Sequence, residues 1–349
     1  MSSTPTPAKS SRQSTKSSRT PNESVLLLPQ HAELKGLSEG EQVELVDTHT
    51  HVLSTFLAYK EKYPEGQHQS VKDFVKATLP NMDAVVDVWC EAPMKADWSD
   101  VVESLVQLKE EDASAPAYHF VVGAHPHEAK DYTDELEKTF LEAHAHPACV
   151  GWGEIGLDYY YDNSPREIQQ DVLRRQIRAA LKSGQKKAIT IHTRTADDDI
   201  QRILKEELPK EQRLHIHCFT DTPECAASLL DHFPNCFIGV TGVVSFSSNL
   251  NTAQVVRNLG AGCSPEKPEG LRIVLETDAP FMVPTNLPTK EMGMNSKQRF
   301  PFSTPPVLPW TAEFVARVLN EGKGDDERKW TTVDVLRQAR ENARKLYGV

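Results

Sequence analysis

The chain has 349 residues, 38% hydrophobic and 26% charged, with a formal net charge of −11. No stretch of about 18 apolar residues occurs, so no membrane-spanning helix is expected, and the lack of an apolar segment near Met1 argues against secretion and for an intracellular, cytoplasmic or nuclear, location. The acidic balance argues against a protein that coats nucleic acid with a broad basic face, but not against an enzyme that grips a few phosphates through metal ions.

Residues 1–22 are rich in Ser, Thr and Pro, carry Lys9, Arg12, Lys16 and Arg19, and hold no acid before Glu23. Such a segment has too little apolar surface to fold, and a disordered or poorly ordered tail is expected over 1–42. A targeting segment is the alternative, which the prolines at 5, 7 and 21 weaken. From about residue 43 short apolar, β-branched runs alternate with helical stretches. The expected strands are 43–47, 84–89, 118–123, 149–153, 188–191, 213–216, 236–240 and 272–275. Continuous apolar runs of this length suit parallel strands buried on both faces. Helical spacing fills 165–183 and 198–207, and again 310–320 and 331–346, where Thr331 or Thr332 offers a cap. Eight strand–helix alternations point to an α/β fold, a single (β/α)8 TIM-type barrel over 43–349. Segments 54–80 and 283–309 read as excursions from the repeat, the second a Pro-rich loop of the length that often serves as a lid. The six cysteines form no CxxC pair and read as buried free thiols.

The polar residues are informative by position, because they follow the apolar runs. The first run leads into Asp47-Thr48-His49-Thr50-His51, the third into His125-Pro126-His127, and the fourth into Glu154 and then Asp158. The fifth ends at His192, the sixth at His217, and the eighth leads into Glu276-Thr277-Asp278. In a barrel these ends meet on one face, where active sites are built. The side chains of His49 and His51 can point the same way off an extended segment. Two more imidazoles and two carboxylates complete a donor set for two divalent cations, of the kind that suits Zn, Mn or, more weakly, Mg. The absence of cysteine ligands favours a hydrolytic centre over a closed structural one. His215 shares a strand face with His217, and the Cys218-Phe219 context favours His217 as the ligand. His31, His68, His119, His144, His146 and His232 read as structural or surface residues.

In order, the segments DTHTH (47–51), GAHPH (123–127), GWGEIGLDYYYD (151–162), IHTR (191–194), HCFTD (217–221), ETDAPFMVP (276–284) and ENARKLYG (341–348) resemble the TatD family of metal-dependent deoxyribonucleases. That family lies within the amidohydrolase-like barrels, and the longer segments resemble its fungal branch. The resemblance spans roughly 43–349. It implies that His49, His51 and Asp278 hold one ion, that His192 and His217 hold the second, and that Glu154 bridges them. It also implies that His125, with His127 beside it, contacts substrate phosphate, while Arg194 is a phosphate contact by its charge and place. Asp158, in the GLD motif, has either a structural or a catalytic role. Glu154 stands where many amidohydrolase-like barrels carry a carbamylated Lys, and Asp221 replaces a Gly common in the family.

The expected function is therefore hydrolysis of DNA phosphodiesters by water activated by two divalent metal ions, leaving a 5′-phosphate and a 3′-hydroxyl. Glu154 and Asp278 are the expected catalytic carboxylates. The acidic chain favours single-stranded or terminal DNA, hence exonuclease action. The alternatives are a barrel hydrolase acting on a small amide or ester, and a barrel with a scaffold role. Protein partners could use the tail or the 283–309 loop.

Overall fold

The computed structural model describes residues 20–349, and the tail expected at the N-terminus lies outside the described residues up to position 19. Eight parallel strands follow one another round a single sheet: β1 (Val46–Thr50), β2 (Ala84–Trp89), β3 (Ala117–Val122), β4 (Cys149–Asp158), β5 (Ala188–Arg194), β6 (Leu214–Ile216), β7 (Cys236–Val240) and β8 (Ile273–Leu275). Among the described residues the helices, in chain order, are α1 (Ala32–Lys35), α2 (Val52–Lys62), α3 (Val71–Thr78), α4 (Trp98–Glu111), α5 (Asp134–Ala145), α6 (Arg166–Lys182), α7 (Asp197–Glu207), α8 (Pro223–His232), α9 (Asn251–Gly260), α10 (Leu308–Leu319) and α11 (Thr332–Tyr347). This is the (β/α)8 barrel. Its outer core packs strand residues such as Phe120 and Ile191 against the helices, for example Leu105, Ile177 and Leu204.

The barrel closes between β8 and β1 through loop and side-chain hydrogen bonds. Asp278 N donates to His49 O at 2.9 Å, His51 N to Ala279 O at 2.9 Å, and Thr48 Oγ1 to Leu275 O at 3.0 Å. The buried Asp47 carboxylate accepts from Thr277 N at 3.0 Å and from Thr277 Oγ1. Burial pushes the Asp47 carboxyl up to about 8, against the hydrogen bonds it accepts from Thr277 and His49 N. The seam thus fixes β1 and the residues after β8 to one another where His49, His51 and Asp278 emerge.

The barrel interior is plugged from the opposite end. Leu346 and Tyr347, the last two residues before the end of α11, pack among Val86, Val88, Val121, Ala188, Phe237 and Val274. Thr331 caps α11 by accepting from Asp334 N, and Gly348 ends it in the left-handed region at φ 80°. Asn342 on α11 donates to Leu271 O and Ile273 O at 2.8 and 2.7 Å, tying the helix to the start of β8.

Two expectations are revised, and a third is given its structure. Strands β1, β4 and β5 run on through their polar ends, so the ligand-type residues are part of the sheet rather than of loops after it. Segment 54–80, expected as an excursion from the repeat, is largely the helices α2 and α3. The expected tail over 1–42 is too long. Glu23–Leu26 forms a 3-10 turn whose Val25 and Leu26 are buried with Tyr59, Phe74, Phe300, Phe302 and Trp310, and Leu34 of α1 enters the main core. The physical reason is the apolar run Val25-Leu26-Leu27-Leu28, which gives the segment surface to bury. The same cluster takes in Leu287 and Met294 from the 283–309 segment, so that loop is anchored against α2 and α3. No helix is long and apolar enough to cross a membrane among the described residues.

Candidate metal centre

Glu154, buried within β4, is the hub of the site. Around its Oε2 lie His49 Nε2 at 3.4 Å and His51 Nε2 at 4.0 Å. Around its Oε1 lie His192 Nδ1 at 2.8 Å, His217 Nε2 at 3.4 Å and His125 Nε2 at 3.6 Å. Asp278 Oδ1 closes the first group, 3.4 Å from His51 Nε2 and 3.8 Å from His49 Nε2. Asp278 has φ 51°, in the left-handed region, and its N–H is bonded to His49 O. That turn sets its carboxylate toward β1.

Most of these N···O separations are too long for hydrogen bonds. Two donors each about 2.1 Å from one tetrahedral ion would lie about 3.4 Å apart, which is the spacing found here. Both ring nitrogens of the fully buried His49 lack a hydrogen-bond partner. An orphaned imidazole of this kind is costly unless it serves as a ligand. The oxygen–imidazole donor set fits Zn, Mn or Mg-type cations. Three-residue groups with ligand atoms within 4.8 Å of one another include His49–His51–Asp278, His49–Glu154–His217 and His125–Glu154–His192.

Electrostatics keeps the Glu154 carboxylate ionised. Burial opposes the Glu154 charge, but His217, His125 and the hydrogen bond from His192 hold its carboxyl well below the usual range. Burial likewise opposes a charge on His217, but Glu276, Glu154 and Asp278 outweigh it and raise the imidazole to about 10. His49, desolvated and beside His217, falls to about 4.

A second layer of polar residues orients the first. Glu276 Oε1 lies 3.3 Å from His217 Nδ1 and accepts from Cys218 N at 2.5 Å, while its Oε2 is 2.8 Å from His215 Nε2. His215 Nδ1 and Thr190 Oγ1 meet the Tyr347 hydroxyl at 2.8 and 2.6 Å. A buried chain of contacts therefore runs from the C-terminal helix through the barrel interior to His217. Asp158 forms a second junction. Its Oδ2 meets His127 Nε2 at 2.9 Å, His192 Nε2 at 3.3 Å and Arg194 Nη1 at 3.7 Å, and its Oδ1 accepts from Tyr160 N and Tyr161 N.

The other five residues singled out as metal ligands from sequence thus gather about the Glu154 carboxylate. His125, read there as a phosphate contact, stands nearly as close to Glu154 as His217 does, whereas His127 and Arg194 sit beside Asp158 at the edge. Glu276 is assigned no part in the site by the sequence, and His215 is set aside there in favour of His217. The signal for His215 is the strand face it shares with His217, and that for Glu276 is its place directly after β8. Cys90, after β2, also reaches the site, with its Sγ 3.9 Å from Glu154 Oε2. All six thiols are free, and burial pushes the Cys90 thiol up.

His51, His125, Glu154, His192, His217 and Asp278 line a cavity of about 440 Å³, together with Tyr161, Arg194, Phe281 and Met282. The family model for TatD related DNase matches residues 46–348. The chain is 29% identical over 308 residues to the human "3'-5' RNA nuclease TATDN2", covering 87% of this chain and 35% of that protein's length. It is 30% identical over 228 residues to a "3'-5' ssDNA/RNA exonuclease TatD" of Erwinia tasmaniensis, covering 65% of this chain and 77% of that one. In fold it is similar to a Saccharomyces cerevisiae amidohydrolase, with a TM-score of 0.65 at 16% identity, covering 87% of this chain and all of the other.

Proposed function

This chain belongs to the TatD-related DNase family of metal-dependent hydrolases acting on ester bonds, and from that premise we propose that it is a two-metal exonuclease that removes nucleotides from unpaired ends of DNA. The observation that carries the reading is the placement of Glu154. One oxygen faces His49, the other faces His192 and His217, and Asp278 completes the first group.

His49, His51 and Asp278 would hold one ion, His192 and His217 the other, with Glu154 shared between them. Bound divalent cations would neutralise the phosphodiester and acidify a water molecule. Asp278, which also lines the cavity, would orient that water and take its proton. His125 and His127, stacked edge to face with centroids 4.4 Å apart, and Arg194 contact phosphate oxygens from the opposite side. Asp158 holds His127, His192 and Arg194 in register. The names of the relatives point to 3′-to-5′ polarity and to RNA as an additional substrate. With four acids, Glu91, Glu154, Asp158 and Asp278, and the single arginine Arg194 among the cavity-lining residues, phosphate binding depends on the cations.

The test is a nuclease assay on metal-stripped protein with a 5′-labelled single strand. Adding Mg, Mn or Zn should restore stepwise shortening, and Glu154→Ala should stay inactive with all three. Metal-independent cleavage, or an active Glu154→Ala chain, would refute the proposal.

A further inference from the structure

Two of the large hydrophobic side chains left exposed among the described residues line this cavity, Tyr161 at 55% and Phe281 at 56% exposure, and a third, Tyr160 at 68%, lines the adjoining pocket that shares Tyr161 and Arg194. Isolated exposed aromatics are unremarkable, but a group at one opening marks a binding surface. Tyr161 is held from several sides. Tyr160 packs edge-on at 4.8 Å and 90°, His127 edge-on at 5.6 Å, and the Arg194 guanidinium lies over its ring at 5.3 Å. The backbone N–H groups of Tyr160 and Tyr161 are both bonded to Asp158 Oδ1, at 2.9 and 3.0 Å. Phe281 comes from another chain segment, three residues after Asp278. Its N–H is bonded to Asp278 O at 2.8 Å, and its ring meets His51 edge-on at 6.3 Å. Each aromatic is therefore tied to a carboxylate residue of the site, Asp158 on one side and Asp278 on the other.

We propose that Tyr161, backed by Tyr160 and Arg194, and Phe281 form a stacking cleft that takes the terminal unpaired nucleobase of the strand being cut, an assignment that presupposes the nuclease reading of the centre. The charge distribution gives the reason. A chain of net charge −11 with one arginine in the cavity lining has little with which to track a phosphate backbone. Base–aromatic stacking supplies sequence-tolerant affinity without added positive charge. A terminal base that is still paired is held by its partner strand and keeps one face stacked on its neighbour, so only a frayed or single-stranded terminus can offer both faces to the cleft. The cleft thus selects for unpaired ends and tolerates any base. Arg194, lying over Tyr161 and 3.7 Å from Asp158, joins the stacked ring to the phosphate side of the site.

The experiment compares two single strands that differ only at the 3′ terminus, one ending in thymidine and one in an abasic nucleotide. The wild-type chain should favour the thymidine end by about tenfold or more in kcat/KM. Tyr161→Leu and Phe281→Leu should each move that ratio toward one; both positions are more than half exposed, so the variants are expected to fold. A 3′-terminal 2-aminopurine on a strand with a hydrolysis-resistant phosphorothioate end should be quenched on binding the wild type and less so with either variant. Equal rates on both ends by an active wild-type enzyme, or variants that keep the wild-type ratio, would overturn the cleft while leaving the nuclease reading in place. Cleavage of neither strand with any metal would remove the nuclease reading and the cleft with it.

Discussion

Glu276 Oε1 lies 3.3 Å from His217 Nδ1, on the far side of the ring from the Nε2 that faces Glu154. A carboxylate on the back of an imidazole fixes its orientation and strengthens it as a ligand, and losing such a partner typically lowers metal affinity by about 10- to 100-fold. Glu276→Gln should therefore weaken metal binding by roughly that factor with little change in fold. Calorimetric titration of metal-stripped protein reads the affinity directly. Tyr347→Phe, one step further back through His215, should show the same effect at smaller size. An unchanged affinity in Glu276→Gln would remove this residue from the site.

Metal uptake should expel protons. In the metal-free chain His217 is held protonated up to about pH 10 by its carboxylate neighbours, despite burial. An imidazole must be neutral to ligate. Loading at pH 7, below that value, therefore displaces the His217 proton, and the release should fade as the pH rises through about 10. Titrations in two buffers of different ionisation enthalpy should give different apparent heats at pH 7. Identical heats would mean that no proton leaves.

His144 gives a pH dependence remote from the centre. It is buried against Trp152 with neither ring nitrogen hydrogen-bonded, and burial, aided by Lys187, lowers it from 6.5 to about 4. A depressed imidazole stabilises the fold fully above the unfolded value of 6.5, and that stability is lost as the pH falls toward the folded value. The loss amounts to about 3 kcal/mol at most. His144→Phe should flatten the stability profile between pH 6.5 and 4 in denaturant titrations. A variant profile parallel to the wild type would contradict this.

Leu26 tests whether the segment before the barrel belongs to the fold. It is 2% exposed, in the cluster with Tyr59 and Phe302. Leu26→Ala should cost about 2–5 kcal/mol, seen as a lower denaturation midpoint. No shift would mean that the segment contributes nothing.

The barrel and the convergence of its ligand-type residues were legible because parallel strands are apolar throughout their buried length, so His49, Glu154, His192 and Asp278 stood out against that background. Strand ends were less so. β4 runs on to Asp158 and β5 to Arg194 because polar side chains there face a shared cavity, which apolar periodicity cannot register. Glu276 escaped assignment because its partners, His215, His217 and the Cys218 N–H, come from the β6 end and meet it only across the barrel interior. Val25 and Leu26 were folded into a tail because the residues before them are polar, while the surface that buries them comes from Phe74 and Phe302, distant in sequence. The aromatic rim at Tyr161 and Phe281 gave no signal in sequence, since exposure is a property of the assembled mouth.

The most direct test of the central claim, that Glu154 is shared by two cations, is anomalous X-ray diffraction from manganese-soaked crystals. Two peaks about 3.5–4 Å apart on either side of the Glu154 carboxylate, one beside His49, His51 and Asp278 and the other beside His192 and His217, are the predicted result. A single peak, or peaks away from Glu154, would contradict it.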